Sequence, residues 1–292
     1  MRERGEGGGS GTRVILFGAL AALALIVGLA NVLRGGGGEG GALPYGLGDG
    51  GDWAPEKAEQ VLYRTFEPGF ADGFQKVKAL YPADYAAFLE RLAEAAARAD
   101  SVEGFRAEAG AFLQALAAEK IAALPHAPQP ALARFFANRA EVFAFARDQI
   151  GAELCARMAR EGMGVIGRHF ETAPVDEAVT QAFTLRFTAA SFANFDAYKA
   201  GEDAPRRVLA APGPNDWAAL VAAMRAAGAS DAQIGAIGAP GSAADADLCA
   251  ASAALLAALA DLEGAPAETL RPYFAQRLAE GEGARAAQPR PR

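Results

Sequence analysis

Apolar positions follow one another in two different ways along this chain. From Val14 to Leu33 they are continuous: VILFGALAALALIVGLANVL contains no ionisable side chain in 20 residues and shows no polar face. From Trp53 onward apolar positions recur at spacings of three, four and seven, which is the period of an α-helix packed on one side. That pattern predicts helices near 55–67, 69–80, 83–98, 102–123, 130–162, 175–200, 215–227, 231–237, 243–262 and 267–280. In 130–162 the apolar series is Leu132, Phe135, Phe136, Phe143, Ala146, Ile150, Leu154 and Met158. Arg139, Glu141, Arg147 and Asp148 fall between them. Phe183, Phe187, Phe192, Phe195 and Tyr198 make an aromatic stripe expected to face the core.

Punctuation supports these elements. Pro82-Ala83-Asp84 opens a helix after a turn, Asp100-Ser101 can cap the next, and Asn215 and Ser230 are good N-caps. Ser242 with Asp245 resembles a capping box. Gly228, Gly264 and the Pro125–Pro130 segment read as stops. No run alternates in the manner of a strand apart from a short ambiguous stretch at 184–188. The expected fold class is all-α, an N-terminal single transmembrane helix followed by an irregular multi-helix bundle.

The continuous run spans roughly 30 Å as a helix, the thickness of a bilayer's hydrocarbon core. Arg2, Arg4 and Arg13 precede it, while only Arg34 lies within the next 20 residues. This bias keeps the N-terminus in the cytoplasm and sends the remainder across the membrane. A cleaved signal peptide ending at Gly28-Leu29-Ala30 is the competing reading, and it also places residues 53–292 outside the cytoplasm. The expected organisation is a cytoplasmic tail at 1–13, a signal-anchor helix at 14–33 in contact with the lipid bilayer, and a flexible linker at 34–52. An exported helical domain at 53–280 and a disordered tail at 281–292 follow. The linker expectation rests on ten glycines in 19 residues.

Composition changes this picture in two places. The 74 alanines, with abundant Gly, Arg and Pro, point to a GC-rich, bacterial genome, hence to an inner-membrane protein with a periplasmic domain. A net charge of -7 lacks the basic footprint of a nucleic-acid binder, so no nucleic-acid partner is expected.

Candidate chemistry is sparse. Cys155 and Cys249, in an oxidising compartment, could form a disulfide closing about 95 residues; two separate buried thiols are the alternative. The two histidines are His126, in LPHAPQP, and His169, which has Glu171, Asp176 and Glu177 near it in sequence. Either could be an ordinary solvated or capping side chain; His169 with a carboxylate could also hold a metal or orient a general base. The carboxylate pairs Asp84 with Glu90 and Asp245 with Asp247 have no cleft to locate them. HExxH, GxSxG and phosphate-binding loop motifs do not occur, and no cofactor or metal is expected. The pattern therefore points to a non-catalytic domain that binds another protein or a second copy of itself. The alternatives are a tethered hydrolase using carboxylates, and a carrier of an apolar ligand.

Overall fold

The computed structural model describes residues 44–286, with 67 and 174 excepted, and among these all regular structure is helical. Twelve α-helices follow in order: α1 (Pro55–Thr65), α2 (Pro68–Leu80), α3 (Pro82–Arg98), α4 (Val102–Lys120), α5 (Gln129–Phe145), α6 (Ala152–Glu161), α7 (Val165–Thr172), α8 (Glu177–Asp203), α9 (Pro214–Ala226), α10 (Asp231–Gly238), α11 (Asp245–Asp261) and α12 (Gly264–Ala286). The run at 14–33, the N-terminal tail and residues 287–292 lie outside the described residues. No helix among the described residues is long and apolar enough to cross a membrane.

Prolines at the first turns of α1, α3, α5 and α9 supply the fixed φ of a helix start at no cost in hydrogen bonds. Ser101 accepts from the Gly104 amide at 2.9 Å, and Ser230 forms a reciprocal box with Gln233. Two expected caps are corrected. Asn215 lies inside α9, whose true cap is Gly213, with the Asp216 carboxylate accepting from the Gly213 amide at 2.8 Å. Ser242 makes no box with Asp245, because Ala244 caps α11 and Asp245 is held by Arg160 at 2.6 Å. Gly264, expected as a stop, opens α12 instead.

The single helix expected at 130–162 is two helices. α5 widens into a π-turn at Ala146–Ile150, and the chain reverses at Gly151, whose φ of 134° is open only to glycine. The short helix α7 was not expected at all. The flexible linker also ends earlier than composition suggests: Leu47 is buried, and the amides of Gly48 and Gly50 donate to Ala96 and Ala97 at the end of α3. Two apolar anchors, Leu47 and Trp53, dock this stretch despite its glycines. At the far end α12 continues to Ala286, past the boundary set at 280, carried by the helix formers Glu280, Ala284 and Ala286.

The buried side chains form one continuous core with two regions. The first is aromatic: α1–α4 pack on one another and, through α2 and α4, against α8, with Phe88 stacked on Phe112 at 4.1 Å and Phe192 edge-on to Phe70 and Phe74. The second surrounds α11, which is buried over most of its circumference and whose many alanines let α5, α6, α9 and α10 approach closely. The aromatic stripe of α8 is buried throughout and joins the two. Where α8 crosses the turn Ile121–His126, a Cβ on Gly201 would lie 2.2 Å from the Ala123 carbonyl oxygen. Gly201→Ala is therefore expected to cost about 1–3 kcal/mol, read as a lowered thermal midpoint with an unchanged helical spectrum.

Candidate functional site

Three features of this scaffold stand apart from ordinary packing. The first is covalent. Cys155 on α6 and Cys249 on α11 are bonded, both fully buried, with Cα atoms 5.2 Å apart. Beside them Arg160 donates to the carbonyls of Pro240 and Ala243 and to the Asp245 carboxylate, at 2.8, 2.7 and 2.6 Å. α6 is thus clamped to the start of α11 twice.

The second is the connection from α8 to α9. Prolines at 205 and 212 oppose a helix here, and from 205 to 213 the chain runs without helix, turn or bend until Pro214 opens α9. Arg207 pins it, donating to the carbonyls of Pro125 and Ala127 at 3.2 Å each. Beyond that anchor Val208, Ala210 and Ala211 are exposed and Leu209 is half-buried. Val208 is 99% exposed, and Val208, Leu209, Ala210 and Ala211 make no main-chain hydrogen bond among the described residues. Arg206 is exposed and carries no ion pair among them. A non-helical main chain whose donors and acceptors are free of other main chain at 208–211, beside an apolar side chain and a cation without an ion pair among the described residues, offers hydrogen-bonding groups that another polypeptide could take up.

The third is a crevice between α5, α6, α11 and α12, lined by Phe136, Phe143, Met158, Leu255, Phe274 and their neighbours. Its one charged wall residue is Arg139, which is 7% exposed. The sequence reading placed Arg139 among the polar positions; the structure places it on the buried face of α5 with Leu132, Phe135, Phe136, Val142 and Phe143. The spacing 132, 135/136, 139, 142/143 carried that signal, masked by the expectation that a charge marks the outer face.

The histidines and carboxylates do not converge. His169 is 7% exposed on α7, and burial pushes its imidazole below the ordinary value; nearby Glu153 opposes the shift and Arg157 adds to it. Its sequence neighbour Asp176 instead caps α8, accepting from the amides of Ala178 and Val179. His126 is lowered by burial and by Arg206 and Arg207. Asp84 pairs with Lys120 at 3.3 Å on one side of the molecule, while Asp245 pairs with Arg160 on another. One polar cluster was missed: Tyr63 donates to Glu59 at 2.7 Å and meets Tyr85 at 3.0 Å, with Lys78 on the same carboxylate. Burial pushes Tyr63 up to about 12 and Tyr85 higher still, so both phenols stay protonated and serve as a hydrogen-bonded tie between α1, α2 and α3. Among the described residues no group of His, Cys, Asp and Glu could hold a metal ion.

The lowered histidines fix the sign of a pH effect. Each holds its proton less well in the folded chain than at the ordinary value of 6.5, so its contribution to stability is complete above that pH and is lost as pH falls through the folded value. The thermal midpoint is expected to fall between pH 7 and pH 5, and His169→Gln to flatten that fall. An unchanged slope in the variant would remove His169 from the explanation.

Comparison with known protein families, characterised proteins and solved structures finds no match to this chain.

Proposed function

We propose that this chain is a membrane-tethered protein whose helical domain lies outside the cytoplasm and binds another protein through residues 204–213. The observation that carries the reading is the non-helical segment whose main chain at 208–211 makes no main-chain hydrogen bond among the described residues, with Val208 fully in solvent. Arg207 anchors it, so a partner need not first order a floppy loop, which lowers the entropic cost of binding. Arg206 favours a partner with acidic groups beside its own free strand edge.

The tether and the compartment rest on the run at 14–33 with its N-terminal arginines, and on the Cys155–Cys249 bridge, since structural disulfides belong to oxidising compartments. The test is a photo-crosslinking residue at position 208 of the full chain in intact cells. A discrete adduct, heavier by one partner or by one further copy of the chain, is expected from 208 and not from the exposed control position Glu90. Identical ladders from both positions, or none from 208, would sink the reading.

A further inference from the structure

An endopeptidase takes its substrate as an extended strand that bonds to the enzyme through its main chain, so a helix must open locally before it can be cut. Among the described residues every lysine and arginine lies within helical backbone except two, Arg206 and Arg207. From 205 to 212 no residue shares a main-chain hydrogen bond with other main chain among the described residues. Exposure alone would not single these two out. The Arg98 side chain is 73% exposed, yet it belongs to the last turn of α3.

The two arginines are not equivalent. Arg206 is exposed and has no ion pair among the described residues, so its guanidinium can enter an acidic specificity pocket without breaking one. Arg207 is held by the carbonyls of Pro125 and Ala127 and must give up both bonds first. The bond that follows Arg206 is therefore favoured over the bond that follows Arg207. The approach to it is already extended: Ala204 has φ -82° and ψ 150°, as a residue before proline should.

The place of this bond in the sequence decides what its hydrolysis produces. It falls between Cys155 and Cys249, so the piece ending at Arg206 carries one half of the disulfide and the piece beginning at Arg207 the other. Across the same divide α11 packs on α5 and α6, Arg160 holds Asp245, and Arg271 reaches Gln129. Neither the core nor its covalent tie runs through the bond.

We propose that the Arg206–Arg207 bond is a processing site for an arginine-specific endopeptidase, and that the product is a folded protein of two chains joined through Cys155 and Cys249. Water adds across the amide and the C–N bond breaks. The carbonyl carbon of Arg206 becomes a carboxylate, and the nitrogen of Arg207 leaves as an α-ammonium. The cut does not rest on the partner-binding reading. Hydrolysis at 206 without an adduct from 208 leaves the cut and removes the partner; the opposite result does the reverse.

The test treats the full chain in lipid nanodiscs with limiting trypsin, and in parallel with a lysine-specific endopeptidase. New N-termini within 53–280 are read by mass spectrometry, and the products are run on gels with and without reductant. The N-terminus Arg207-Val208-Leu209 should appear about tenfold faster or more than any other in that stretch, and faster than any cut by the lysine-specific enzyme. The two pieces should separate only on the reducing gel. Arg206→Gln should abolish this cut, and the slower cut after Arg207 should then become visible. A first cut within a helix, equal rates with the lysine-specific enzyme, or separation of the pieces without reductant would each overturn the proposal. So would a first cut after Arg207 in the unaltered chain.

Discussion

Replacing Arg271 by alanine is expected to lower the unfolding free energy by about 3–5 kcal/mol, from loss of several charge-assisted hydrogen bonds at once. The carbonyls at the C-terminal end of α11 have no partner in their own helix. Arg271 reaches back from α12 and closes that end: Nε donates to Leu259 at 2.6 Å, and Nη2 to Ala260 and Leu262 at 2.7 and 2.6 Å. Its Nη1 reaches Gln129 at the start of α5, 3.1 Å away. One buried side chain therefore fixes three elements, with its positive charge at the negative end of the α11 dipole. Truncation leaves the carbonyls short of donors and opens a void beside Leu270 and Leu259. Denaturant unfolding should show the midpoint shifted with the slope unchanged, and Arg271→Lys should recover only a fraction, since an ammonium cannot span three carbonyls. A loss below about 1 kcal/mol would mean that water replaces the guanidinium without penalty.

Removing both halves of the disulfide is the second large effect. The bridge closes a loop spanning 94 positions of sequence, for which chain entropy gives about 4–5 kcal/mol and engineered cases less. About 3–4 kcal/mol is expected for Cys155→Ala with Cys249→Ala, a drop of roughly 10 °C in thermal midpoint for a domain of this size. Arg160 softens the loss, because it holds α6 to the α11 entrance without the sulfurs. Combining the double alanine variant with Arg160→Ala should thus cost more than the sum of the two, since each clamp limits what the loss of the other can do. Strict additivity would show that the clamps act on separate motions.

Much of the helical order was legible from the chain, for a definite reason: proline at first turns and serine caps stand where the apolar period begins. What escaped was set by contacts distant in sequence. Gly151 looks like any tolerated helix glycine until the π-turn before it and the packing of α6 on α11 demand its positive φ. Leu47 sits in a glycine-rich stretch whose composition says linker, and only the C-terminal end of α3 makes it an anchor. Arg139 and Arg271 fall on buried faces, where periodicity treats a charge as an interruption. For Arg271 the missing information was three carbonyl oxygens contributed by α11; for Arg139 it was an apolar crevice built from four helices. The cysteines could be named as a possible pair, but their meeting depends on how α6 folds back after Gly151. The segment 204–213 could be recognised as a non-helical connection from its prolines, not as an exposed one pinned by Arg207.

The decisive measurement concerns the side of the membrane on which residues 53–280 reside. A reporter enzyme that becomes active only outside the cytoplasm, fused after Arg292 of the full chain, is expected to be active, and the run at 14–33 should be required for it. An inactive fusion of intact length, with Cys155 and Cys249 recovered as free thiols, would contradict both the export of the domain and the partner-binding role assigned to it.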